Sequence, residues 1–228
     1  MKKYTLFMLA CCVFLGNANA QKFKTKLDSA TYANGYMMGE YFHQNNIELN
    51  AEMYYKGMVD GYKGSKMKIN KEEKDALMQY FNQHVQQQMQ ENMQKQADKN
   101  KIAGAKFMEE NAKNKDIKQT ESGIQYKIIK EGNSTLHPSA TDKVKVHYTG
   151  TLLDGTVFDS SVQRGEPISF PLNQVIPGWT EGVQLMVPGS VYKFWIPSNL
   201  AYGDRNIGSI PPGSTLVFEI ELIEINPE

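Results

Sequence analysis

Cysteine is nearly absent from this sequence: among 228 residues there are two, Cys11 and Cys12, side by side near the start. Such a pair builds neither a disulfide framework nor a cysteine-based metal cluster, so the fold must rest on its apolar core. An excess of one charge is lacking as well, with 25 basic and 25 acidic side chains. The few lysine-rich stretches are punctuated by acids and amides, which excludes a phosphate-binding surface and argues against nucleic acid as a partner. The four histidines, at 43, 84, 137 and 147, are dispersed without ligand spacing, so no metal site is expected. Long apolar runs are missing too. The opening run, Leu6 to Gly16, falls far short of the roughly 20 residues a membrane-spanning helix needs.

That opening segment, "MKKYTLFMLACCVFLGNANA", joins two lysines to an apolar stretch and ends in Ala18-Asn19-Ala20, the small-x-small pattern of a secretory cleavage site. It reads as a signal peptide over residues 1–20, which gives a mature chain from Gln21, without cysteine and nearly neutral. Export to the periplasm is the expectation. The rival reading is a lipid-anchored Cys11 or Cys12, preceded by an apolar region that is short for the purpose.

What the chain does have is 40% hydrophobic and 11% aromatic residues, ample for a packed core in one or two domains. From Leu27 to Met67 apolar groups recur at helical spacing, broken at "HQNNIELN" and "GSKMKIN", and predict two short helices. Asn70 followed by Glu73 has the form of a helix start, and no proline occurs between Lys71 and Asn114. One helix of about 44 residues follows, roughly 65 Å long at 1.5 Å per residue. Its apolar residues Leu77, Phe81, Val85, Met89, Met93 and Ala97 recur at every fourth position, and each step over-rotates the stripe by about 40°. The stripe winds round the helix, so its beginning is expected to be buried and its middle, "QQQMQENMQKQADKNK", solvated. That middle reads as a low-complexity solvated arm or, alternatively, as a surface whose adaptable methionines bind client chains.

Past "NAKNKDIKQTESG" the period changes from helical to alternating: Ile124, Tyr126 and Ile128, then Val144 to Tyr148, Val191 to Ile196, and Leu216 to Leu222. The Asp-Gly pair of "LDGT" marks a chain reversal before Phe158. Only Trp179 to Met186 reads as a helix here. The fold class is therefore α+β: a C-terminal curved antiparallel sheet wrapped on one short helix, preceded by an all-α region with a long connecting helix. The expected boundaries are 21–70 for the helical region, 71–115 for the connecting helix and 116–228 for the sheet domain.

Four ordered motifs in that last domain, "VHYTGTLLDGTVFDSS", "VIPGWTEGVQLM", "LAYG" and "IPPGSTLVFEIELIEI", resemble those of FKBP-type peptidyl-prolyl cis-trans isomerases. The helices with "YANGYMMGEYF" and the long arm resemble, more loosely, the amino-terminal domain of the exported bacterial branch, the macrophage-infectivity-potentiator and FkpA-like isomerases. The resemblance implies a deep apolar pocket between sheet and helix, with no cofactor. Tyr148, Phe158, Asp159, Tyr202 and Phe218 are its catalytic candidates. Phe170, Val175, Ile176, Trp179 and Ile210 would bind substrate, and Arg164 would steady Asp159 and Tyr148. In the family, the ring at Trp179 forms the floor, the Tyr202 hydroxyl and the Ile176 amide donate to ligand carbonyls, and Asp159 lies beside the reacting amide. It further implies macrolide inhibitors, clients among exported proteins with Xaa-Pro bonds, and a homodimer through the N-terminal helices, a segment too small to form a comfortable core alone. The sequence departs from the family at Ile168, where an aromatic residue is frequent, and in "GDRNIGSI", which bears on substrate preference and macrolide affinity more than on catalysis.

The chemistry stands without the family. A prolyl amide resists rotation by about 18–20 kcal/mol because its C–N bond is partly double, and its exchange in water takes tens to hundreds of seconds. Rotation reduces charge separation, so a pocket that excludes water from the carbonyl lowers the barrier without nucleophile or metal. Other readings of the same residues are a plain aromatic core, an Asp159–Arg164 pair of structural value only, and "IPPG" as simple turn residues. For the whole protein the alternatives are a holdase chaperone whose isomerase activity is incidental, and a binding module with no catalysis.

Overall fold

The computed structural model describes residues 23–227; the signal-like segment with Cys11 and Cys12 lies outside the described residues. The chain divides into two units, residues 1–44 and 45–228.

Among the described residues the first unit holds one helix, α1 (Lys26–Gln44). Its start is fixed reciprocally: the Asp28 amide donates to Thr25 Oγ1 at 3.0 Å, and the Thr25 amide donates to Asp28 Oδ2 at 2.9 Å. No residue of α1 is buried, although Tyr32, Tyr36, Met37 and Met38 are all exposed along it.

The second unit opens with α2 (Ala51–Tyr62) and α3 (Lys71–Asn111), each begun by an asparagine whose side chain accepts from the amide three residues on, Met53 from Asn50 and Glu73 from Asn70. The 41 residues of α3 span about 62 Å. The expectation that the apolar stripe is buried at its beginning is overturned: Leu77 is 46% exposed, with Met78 and Tyr80 exposed beside it. The reason is that nothing in this unit covers the first turns. The segment before α2 lies instead along turns 84–92, where Gln88 accepts from the Glu48 amide, Asn92 donates to the carbonyl of Asn46, and Ile47 is buried. Further on, the only fully buried positions of α3 are small ones, Ala97 and Gly104.

The remaining chain forms a sheet of seven antiparallel strands: β1 (Lys118–Gln119), β2 (Gln125–Lys130), β3 (Lys143–Thr151), β4 (Val157–Ser160), β5 (Ile168–Pro171), β6 (Val191–Ile196) and β7 (Leu216–Ile225). The order is β1-β2-β6-β7-β3-β4, and β5 shares the outer edge of β3, pairing with residues 143–146 while β4 pairs with 149–151. Alternation along β3 and β7 turns Val144, Val146, Tyr148, Phe218, Ile220 and Leu222 into the core. The helix α5 (Pro177–Val183) packs on that face through Trp179 and Val183. Compared with the expected 179–186, it starts earlier because Pro177 suits a first helical position, where a missing N–H costs nothing. A one-turn helix, α4 (Ser161–Arg164), adds a second helical element that the alternation of strands did not reveal; Ser160 caps it and Gly165 closes it at φ +83°. Among the described residues no helix is long and apolar enough to cross a membrane.

Phe194 on β6 is fully buried where the faces of the sheet and α5 meet, and the absence of a side chain at Gly182 makes room for its ring. Phe194→Ala is expected to cost about 3–5 kcal/mol, the range for emptying an aromatic core site. Urea unfolding followed by far-ultraviolet circular dichroism checks this through the midpoint shift.

Candidate active site

Five elements converge on one cavity of about 720 Å³ at the end of the sheet. From β3 comes Tyr148, from β4 Phe158 and Asp159, from β5 Phe170, from α5 Trp179, and from β7 Phe218. Val175 and Ile176 line it from the turn leading into α5, and Tyr202 and Ile210 from the loop between β6 and β7. Ten of the eleven residues singled out from the sequence thus face the same space. Arg164 does not line it, but reaches Asp159 from α4.

The aromatic rings are set edge to face. Trp179 meets Tyr148 at 5.1 Å and 88°, and Phe218 at 5.1 Å and 87°, while Phe158 meets Phe218 at 5.5 Å and 84°. Gly150 makes this possible. A Cβ there would lie 2.6 Å from the Phe158 ring and 2.8 Å from that of Phe218, so any side chain would push the box apart. The Trp179 indole nitrogen is buried with no hydrogen-bond partner among the described residues. An unpaired buried donor costs on the order of 1–3 kcal/mol, so this ring is held for its shape and face rather than for its polar end.

The polar part of the site is a three-membered cluster. Tyr148 Oη donates to Asp159 Oδ2, Arg164 Nη1 donates to Asp159 Oδ1, and Arg164 Nη2 donates to Tyr148 Oη at 3.1 Å. Burial pushes the Asp159 carboxyl up, but the bonds from Tyr148 and Arg164 and the guanidinium charge outweigh it and hold the group below its ordinary value. Burial, with the bond to Asp159, raises the Tyr148 hydroxyl. Asp159 is therefore a fixed anion at neutral pH, which is unsuited to donating a proton. Behind the strand, His147 faces away from the cavity and its Nδ1 lies 3.1 Å from Ser161 Oγ, which accepts from the Tyr148 amide at 2.8 Å.

The site residues named from the sequence leave out part of the wall: Gln174, Pro177, Ala201, Arg205, Ile207, Gly208 and Ser209 also line the cavity, as does Ile168, singled out from the sequence only as a departure from the family. The signal lay in "GDRNIGSI", whose departure from the family pattern marks the stretch that shapes one side of the site. Among the described residues no group of three or more His, Cys, Asp or Glu could hold a metal ion.

Comparison with known proteins agrees with this geometry. The family model described as FKBP-type peptidyl-prolyl cis-trans isomerase matches residues 134–223, and that described as the domain amino terminal to it matches residues 27–128. The chain is 46% identical over 215 residues to the FKBP-type peptidyl-prolyl cis-trans isomerase FkpA of Aeromonas hydrophila, which covers 91% of this chain and 78% of that one. The chain belongs to the FKBP-type peptidyl-prolyl cis-trans isomerases. Another relative, the outer membrane protein MIP of Legionella longbeachae, is 38% identical over 95% of this chain and 93% of its own. The crystal structure of FkpA from Escherichia coli superposes with a TM-score of 0.73 at 36% identity, covering 90% of this chain and 99% of that one. These matches establish an FKBP-type isomerase with an α+β fold and an N-terminal helical region.

The lowered Asp159 carboxyl fixes the acid limit of the cluster. Because its folded value lies below the ordinary carboxylate value of about 3.9, its contribution to stability is complete above that value. It is lost as pH falls through the lowered one. Isomerase activity is expected to stay level from pH 8 down to about 5, and thermal melts of the Asp159→Asn variant should lack the part of the acid destabilisation that wild type shows below about pH 4. Identical acid limbs in the two proteins would contradict this.

Proposed function

We propose that this isomerase accelerates proline-limited folding of exported proteins in the periplasm, binding an Xaa-Pro segment in the aromatic cavity. The observation that carries the reading is the 720 Å³ cavity lined by Trp179 and three phenylalanines, with one anchored anion, Asp159, among them. Phe158, Phe218, Phe170 and Trp179 take the proline ring and exclude water from its amide, which removes the solvation that favours the planar state. The Tyr202 hydroxyl and the Ile176 amide donate to the flanking carbonyls, fixing the segment while the prolyl bond turns. Val175 and Ile210 fill out the apolar walls. Asp159, ionised and pinned by Tyr148 and Arg164, sets the field beside the rotating carbonyl. Each 1.36 kcal/mol taken from the barrier gives about tenfold in rate.

The same pocket offers a site for macrolide inhibitors, with Ile168 and the loop after Gly203 altering affinity. The leader-like segment at residues 1–20 supports export, with a lipid anchor at Cys11 or Cys12 as the lesser alternative. A homodimer through residues 21–70 is supported by α1 and α2, which bury no residue in the single chain yet expose Tyr32, Tyr36, Met37, Met53, Tyr55 and Met58. Chaperone activity on unfolded chains accompanies isomerisation in this reading and depends on the helices.

Cis/trans exchange in a short prolyl peptide, followed by magnetisation-transfer NMR with residues 21–228 in catalytic amount, tests the activity. Wild type should accelerate exchange, and Phe158→Ala should lose at least about tenfold, since emptying an aromatic contact of this size removes more than 1.4 kcal/mol. A folded chain without acceleration would sink the proposal. Sedimentation equilibrium of the same protein is expected at twice the monomer mass, and a single-copy mass would remove the dimer.

A further inference from the structure

The loop from Gly203 to Gly213 forms one wall of the cavity through Arg205, Ile207, Gly208, Ser209 and Ile210. It is closed on itself: the Gly213 amide donates to the Gly203 carbonyl at 2.9 Å, and Ile207 and Ile210 exchange backbone bonds at 3.1 and 2.9 Å. Its outer side, away from the cavity, rests on α3, and both of its ends are held there. At the first end, Lys101 Nζ reaches Asp204 Oδ1 at 2.6 Å. At the second, Asn100 Nδ2 donates to the Pro212 carbonyl at 2.8 Å. Beside it the backbone of Gly213, at φ +72°, sits so close that a Cβ would lie 2.3 Å from the Ala97 carbonyl oxygen. About two turns on from Ala97, Gly104 leaves room for Thr215, whose Oγ1 would be 2.2 Å from an added Cβ.

Asn100 is itself oriented, because its Oδ1 accepts from Gln96 Nε2 at 2.9 Å, which aims the amide nitrogen at Pro212. The sequence supplies this surface at helical spacing: Ala97, Asn100, Lys101 and Gly104 fall on one face. Small residues let the helix backbone approach the loop, and the two long polar side chains between them clamp its ends. Both grips act on the base of the loop, so the position of Ile207 and Ile210 at the cavity depends on them.

We infer that Asn100 and Lys101 are positioning residues for the prolyl site: α3 is a brace that fixes the loop lining the cavity, and so sets substrate affinity and the preference for the residue before proline. Neither residue lines the cavity, and each acts through the backbone of Gly203 to Gly213. The inference rests on the isomerase reading of that cavity, and its test carries a readout independent of activity. The brace also means that a fragment beginning at residue 118 lacks part of what shapes its own site.

The experiment compares wild type with Asn100→Ala/Lys101→Ala and with Gln94→Ala, which breaks a bond to Asp98 on an exposed part of the same helix. In the double variant the Ile207 and Ile210 amides are expected to exchange hydrogen at least about tenfold faster, while strands β3 and β7 keep their protection. Its kcat/KM for prolyl peptides should fall about fivefold, the scale of one lost hydrogen bond with a partly exposed ion pair, carried mainly by KM. Gln94→Ala should change neither. The charge swap Lys101→Asp with Asp204→Lys should recover more than either single change does, the signature of a direct pair. Unaltered loop exchange and unaltered KM in a folded double variant would overturn the inference. If wild type itself catalysed nothing, the isomerase reading would fall, and loop exchange alone would still decide whether α3 holds the loop.

Discussion

The register between β3 and β7 places Gly150 opposite Phe218 and Tyr148 opposite Ile220, and the active site follows from that pairing. Slipping the register by one residue would turn Tyr148 out of the core and leave Phe218 facing a side chain instead of an empty position. Because Gly150 offers no Cβ, Phe158 and Phe218 can meet edge to face, while Trp179 reaches Phe218 from α5. The outer edge of β3 is divided between β5 and β4, which is why Phe170 and the Phe158-Asp159 pair arrive on the same side of the cavity from different parts of the chain.

The cavity separates the two tasks an amide-rotating site needs. Apolar faces exclude water, whereas the single anion is kept at the rim and saturated by Tyr148 and Arg164. A bare carboxylate in an apolar box would raise its pKa and become neutral; here the two donors reverse that tendency. The site is thus electrostatically fixed before a peptide arrives, and the proline segment meets preset walls rather than groups that must reorganise.

Much of this was legible in the residues. Period-two alternation marks Val144 to Tyr148 and Leu216 to Leu222 as strands, and the turn at Asp154-Gly155 separates β3 from β4 as an Asp-Gly pair should. Asn70 with Glu73 starts α3 where expected. The motif resemblance gathered the cavity residues, which no periodicity could have brought together, since they come from stretches up to 70 residues apart. Two features escaped. The apolar stripe from Leu77 to Ala97 suggested burial at the wrong end, because the docking face of α3 is made of Ala97, Asn100, Lys101 and Gly104. Such a face wins by close backbone approach and polar pairing, and hydrophobic patterning is blind to it. The one-turn α4 was missed because four residues are too few to show a helical period.

The topology carries a consequence for how the protein is made. The central pairing joins Val144 to Ile225, and β7, seventh in sequence order among the described strands, lies between β6 and β3 in the middle of the sheet. Without β7, β2 with β6 and β3 with β4 and β5 are two separate ribbons lacking the strand that bridges them, and Phe218 is absent from the box. Non-local closure of this kind is slow, and it comes late. The prolyl site is therefore an all-or-none product of that one insertion: a stretch of this chain that stops short of Leu216 keeps the walls from β3, β4 and β5 but has no closed box.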